Sequence, residues 1–146
     1  MCQESKYVNF YDNLAMHKET SSKTLRLDAL SLVHAMLACD NHDPVHIRKG
    51  LTNTLLPQLC QAVKEQWYKV IAEGLRALAA VPRFFVVSQD PSDKEETLAV
   101  TNKLYESVEP LLAAHDVDQE IKECALMATA SLLTELAGGK SDASQQ

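Results

Sequence analysis

Five apolar residues at a strict four-residue spacing, Ile47, Leu51, Leu55, Leu59 and Val63, constrain this chain more than any other feature. The spacing predicts one helical face. Only Lys64, Glu65, Gln66 and Trp67 follow before a second amphipathic run, Tyr68, Ile71, Leu75 and Leu78. So short a gap forces the two helices back on each other as an αα-hairpin.

The landmarks of that hairpin return. Pro57 stands twelve residues before Lys69, and Pro110 stands twelve before Lys122. Each lysine follows a large apolar residue (Tyr68, Ile121) and precedes an alanine by three (Ala72, Ala125). Upstream, Leu25, Arg26 and Ala29 repeat the local pattern, with Leu14 in the place of the proline. From Arg26 to Lys69 is 43 residues, and from Lys69 to Lys122 is 53. Helix-pair units of about 40–47 residues have the HEAT/armadillo period, so the longer interval needs an insertion of roughly ten, placed at 88–94. The expected fold is all-α: an α-solenoid of about three HEAT repeats, antiparallel helix pairs in a right-handed superhelix. The units fall at about 5–40, 44–87 and 92–137, with a disordered tail at 138–146.

Composition narrows the function. A net charge of −6 gives no basic footprint for nucleic acid. Few glycines, prolines and aromatics argue against an all-β fold. Cys2, Cys39, Cys60 and Cys124 are far apart, and three of them read as small buried residues of a reducing compartment, not a disulfide framework. No apolar run approaches a membrane span, and MCQESKY lacks a signal pattern, so a soluble protein without a membrane partner is expected.

In chain order, 5–17 reads as the end of a first helix. Its partner runs from about Lys23 to Asp40, with Leu25, Ala29, Leu32, Met36 and Cys39 as its apolar stripe. Asp43-Pro44 opens the next helix, cap then preorganised first residue. Pro57 lies inside that helix and predicts a kink, matched by Pro110 one unit on. Pro82 ends the helix from Tyr68, leaving Phe84 to Val87 to cover a neighbouring layer. Ser92 with Glu95, and Asp116 with Gln119, read as capping boxes for the last two helices. Gly138-Gly139 is the expected stop.

QWYKVIAEGLRAL followed by DVDQEIKECAL, together with KTLRLDALSLVHAML and DPVHIRKGLTNTLLPQL, resembles an interior stretch of one HEAT family. That family is the cullin-associated, neddylation-dissociated proteins, also called TATA-binding-protein-interacting proteins. The likeness covers about 8–137, and the SQDPSDKEE loop departs from it. It implies a cytoplasmic and nuclear, non-catalytic scaffold without cofactors that wraps unneddylated cullin–RING assemblies and promotes substrate-receptor exchange. This chain would be about three repeats of it, with none of the family's gripping segments. A nuclear-transport receptor or a phosphatase scaffold shares the architecture and is the alternative, with a small helical metal protein behind it.

Second helices line the concave, partner-binding side of such arrays. On them Lys69, Glu73, Arg76, Lys122 and Glu123 are the candidate protein-interaction residues. Arg26, Lys69 and Lys122 recur once per repeat and suit a structural ladder; Glu73 and Arg76 do not recur and suit a partner. Trp67 and Tyr68 read as aromatics packed on the next repeat, and Asp90, Asp93, Glu95 and Glu96 as a solvated helix start. Cys39, His42 and His46 have half of a zinc spacing, but a polar turn with Cys39 tucked inside explains them better. No catalytic, cofactor or metal residues are predicted: nucleophile–base, Glu-x-x-His and P-loop patterns are all missing from the sequence. Uncapped ends carrying Val8, Tyr11, Leu132 and Leu136 predict self-association.

Overall fold

The computed structural model describes residues 23–39, 44–85 and 90–141. Its elements in order are α1 (Lys23–Ala38), α2 (Pro44–Gly50), a π-helical turn (Leu51–Leu55), α3 (Leu56–Ala62), α4 (Tyr68–Ala79), a 3-10 turn (Pro82–Phe84), α5 (Pro91–Ala113) and α6 (Gln119–Ser141). No strand occurs among the described residues. From α2 to α3 the chain is continuously helical, and it reverses at 63–67 into α4. The 5–17 helix, the Asp43 cap and Val86-Val87 lie outside the described residues.

The second helices α1, α4 and α6 lie side by side, with α4 between the other two, while α3 pairs with α4 and α5 with α6. Stacked antiparallel pairs of this kind are an all-α solenoid of the HEAT type. The central helix is the most enclosed. Val70, Ile71, Ala72, Gly74, Leu75, Ala77 and Leu78 are all buried, because α4 has a neighbour on three sides. Gly74 lies close against the end of α3. A Cβ there would stand 3.2 Å from Ala62 Cβ and 3.3 Å from Val63 Cγ1, tighter than ordinary contact.

On α1 the buried stripe is Leu30, Val33 and Leu37, not the expected one. Leu25 is 44% and Leu32 50% exposed, and Cys39 is exposed as well. Both sets have helical spacing, so periodicity alone does not choose between them; contact with α4 does.

The kink expected at Pro57 takes the form of the π turn just before it. Leu56 N–H bonds to the Leu51 carbonyl, five residues back instead of four. In a straight α-helix, four-residue spacing drifts by about 40° per step, which would carry Val63 about 160° away from Ile47. The wide turn takes up that drift: Leu51, Leu55, Leu59 and Val63 are all buried. The same turn loosens the backbone that the Pro57 ring would otherwise strike.

Two helix starts differ from the capping boxes expected. The cap of α5 is Asp90, whose carboxylate accepts from Ser92 N–H (2.9 Å) and Ser92 Oγ (2.8 Å), with Pro91 as the first helical residue. Proline's fixed φ favours that position, so the helix starts two residues before the Ser92 box. For α6 the cap is Asp118, accepting from Glu120 N–H at 2.9 Å, not Asp116. At the other end α6 passes through Gly138 and Gly139 to Ser141. Glycine costs about 1 kcal/mol against alanine in a helix but does not oblige it to stop. Among the described residues no helix is long and apolar enough to cross a membrane.

Candidate interaction surface

A polar relay crosses the layer of second helices. Glu73, on α4, has a side chain only 12% exposed and lies between two partners. His34 Nδ1 of α1 stands 3.3 Å from Glu73 Oε1, and Arg76 Nη1 donates to Glu73 Oε2 at 3.0 Å. Arg76 Nη2 then donates to Glu120 Oε1 of α6 at 2.6 Å. The bond to Glu120 raises the Arg76 pKa above its ordinary value, burial opposes it, and Glu73 adds to the rise. Cys124 is buried near these charges; burial pushes its thiol up, so it stays a neutral apolar neighbour.

Further links flank the relay. Arg26 pairs with Glu65 at 2.6 Å, and Ser131 Oγ donates to the Ala79 carbonyl at 2.6 Å. Between the first helices, Thr52 Oγ1 shares its proton between the Arg48 carbonyl (3.0 Å) and Glu96 Oε1 (3.1 Å). Arg48 Nε donates to the Phe84 carbonyl at 2.6 Å, and its Nη1 stands 3.7 Å from Asp93. Arg83 donates to the Ala38 and Cys39 carbonyls at 3.5 and 2.5 Å, satisfying the open end of α1.

The five candidate residues separate into different environments. Glu73 and Arg76 are members of the relay. Lys69 is exposed, its Nζ 6.0 Å from the ring centroids of both Trp67 and Tyr68. Lys122 Nζ donates to the Leu112 carbonyl at 3.2 Å, in the last turn of α5. Glu123 is exposed and accepts from Gln119 Nε2 at 2.8 Å. The recurring residues Arg26, Lys69 and Lys122 thus do three different things. Only Arg26 reaches the neighbouring unit, so they form no uniform ladder. Trp67 packs half-buried on the core, while Tyr68 is 39% exposed.

His34, Glu65, Glu120, Arg48 and Thr52 escaped sequence reasoning. A signal for them exists: polar side chains of opposite kind about one repeat apart. His34–Glu73 is separated by 39 residues, while Thr52–Glu96 and Arg76–Glu120 are each separated by 44. Of the half zinc pattern, Cys39 and His46 are exposed and His42 lies outside the described residues. Among the described residues no three ligand-type side chains gather.

Helix pairs stacked side by side and joined by polar bonds across the layer of second helices define a helical-repeat scaffold. The family model for CAND1-like, TPR repeats matches residues 8–129, and the chain belongs to that family. It is 23% identical over 132 residues to Cullin-associated NEDD8-dissociated protein 1 of Dictyostelium discoideum, covering 90% of this chain. It is 32% identical over 117 residues (78% of this chain) to Cullin-associated NEDD8-dissociated protein 2 of Mus musculus. With protein 1 of Arabidopsis thaliana the figure is 30% over 113 residues, 77% of this chain. The chain spans about a tenth of the length of these curated relatives, 10%, 9% and 9%. No solved structure matches it.

Proposed function

We propose that this chain is a non-catalytic spacer of a cullin-associated scaffold, cytoplasmic and nuclear, that binds an unneddylated cullin and supports substrate-receptor exchange. The observation that carries this reading is the His34–Glu73–Arg76–Glu120 relay. It fixes three successive second helices at set spacing, which a long protein partner needs from a scaffold and a small-molecule enzyme does not. The relatives' names supply the cullin. In this reading Glu73 and Arg76 hold the curvature of the surface, while the exposed Lys69 and Glu123 meet the partner.

Calorimetric titration of the chain with an unneddylated cullin–RING scaffold tests it. Binding that weakens about tenfold in Lys69→Glu, with an unchanged melting point, is the expected result. Binding indifferent to both Lys69→Glu and Glu123→Lys removes the contact assignment. The cullin reading itself falls if the chain gives no binding signal.

A further inference from the structure

The outward face of α5 has a charge order that complements itself. Asp93 and Glu96 reach from α5 back to Arg48 and Thr52 of the preceding helix pair. About 160° round the helix axis from them runs a second stripe: Lys94, Leu98, Thr101 with Asn102, Tyr105 and Glu109. Leu98 is 60% and Tyr105 54% exposed, and Lys94 and Glu109 are exposed as well. Among the described residues neither of these charges has an ion-pair partner. Along this stripe the order is positive, apolar, polar, apolar, negative, with Glu95 and Glu106 exposed on one flank of it.

An antiparallel copy of this order matches it at every step. With a two-fold axis between Thr101 and Asn102, Leu98 meets Tyr105 of the second copy, and Lys94 meets its Glu109. Both charges stand about 11 Å from the axis, on either side of the apolar pair. A two-fold contact repeats each interaction twice, as a self-complementary face requires. We infer that this stripe is the surface through which two copies of the chain pair, α5 against α5. The second copy is favoured over an unrelated helix by this symmetry: a partner that did not share it would have no reason to place a cation and an anion equidistant from the centre. The apolar content is small, so the dimer belongs to the weak class and forms at roughly tens to hundreds of micromolar chain.

Sedimentation equilibrium over a concentration series tests this on the 146-residue chain. Lys94→Glu sets two carboxylates against each other at both ends of the contact, and Glu109→Lys sets two lysines together; each weakens the dimer about tenfold. Both reversals suit the helix dipole, acid near the start and base near the end, so the fold survives them. Two rescues are expected. The double variant K94E/E109K restores the pairs, and an equimolar mixture of the two single variants forms a heterodimer. A chain that stays monomeric near 1 mM overturns the inference and leaves the face to some other occupant. A dimer unmoved by the reversals, or reversals without either rescue, overturns it too.

Discussion

The helix that holds Pro57 and the helix that holds Pro110 differ where the sequence makes them look alike. Both prolines are exposed and stand twelve residues before a matching lysine. Yet the first helix opens into a π turn at Leu51–Leu55, and α5 runs unbroken from Pro91 to Ala113. Proline is therefore not the deciding cause. The core-facing residues of α5, Thr97, Val100, Leu104, Val108 and the half-buried Leu111, are spaced three, four, four and three, which an ordinary helix keeps on one face. The first helix buries a run spaced four throughout, Leu51, Leu55, Leu59 and Val63, beside Leu56 and Ala62, and an ordinary helix cannot keep that four-spaced run on one line. The π turn accompanies the four-spaced run, while Pro110 sits in a helix that stays regular.

Truncating the stripe is the harshest test. Leu59→Ala, at a site with no exposure, is expected to cost about 3 kcal/mol in urea unfolding, while Leu111→Ala, half-buried on α5, costs about 1 kcal/mol. Equal losses would mean that the two stripes are equally enclosed.

Replacing the prolines separates their effect from that of the apolar run. Pro110→Ala should stabilise by about 2 kcal/mol, since it restores a regular helical bond, and Pro57→Ala by about 1 kcal/mol, its clash being already relieved. The Leu56 amide should keep its bond to Leu51 in the Pro57 variant, seen as unchanged hydrogen exchange. An amide that shifts to the α-helical pattern would return the cause to the proline.

Thr52 ties the π turn to α5 through Glu96, so Thr52→Val should destabilise by about 1 kcal/mol. If Glu96→Gln then adds as much again, the two are not acting on each other.

The smallest effect concerns the start of α5. Ser92's hydroxyl and then its N–H hold the Asp90 carboxyl below its ordinary value of 3.8. A group whose pKa is lowered by folding stabilises above the unfolded value, and that contribution is lost as pH falls through the folded one. The melting point should drop slightly more steeply below pH 3.8 in the wild-type chain than in Asp90→Asn. Parallel curves would deny the cap any part in acid sensitivity.

How much was legible follows from these elements. The hairpin, the helix pairs and their order came from periodicity, because 3.6-residue repetition survives in a single chain. Which of two helical stripes on α1 is buried did not, since only the neighbour α4 selects Leu30 over Leu25. Caps were off by two residues because aspartate–proline outcompetes serine at 90–92. The relay was half visible: Glu73 and Arg76 stood out as unrepeated charges, but their partners His34 and Glu120 sit a repeat away on other helices. Spacing within one helix carries no information about that.

The π turn also says something about residue counts. It holds one residue more than the hydrophobic stripe requires. Without Asn53, which is exposed, the spacing from Ile47 to Val63 becomes four, three, four, four, and an ordinary α-helix would present the same apolar face. The extra residue is stored as a local widening instead of being passed on as a rotation of everything downstream. A helical array can in this way change length by one residue inside a helix, without moving a core contact or lengthening a loop.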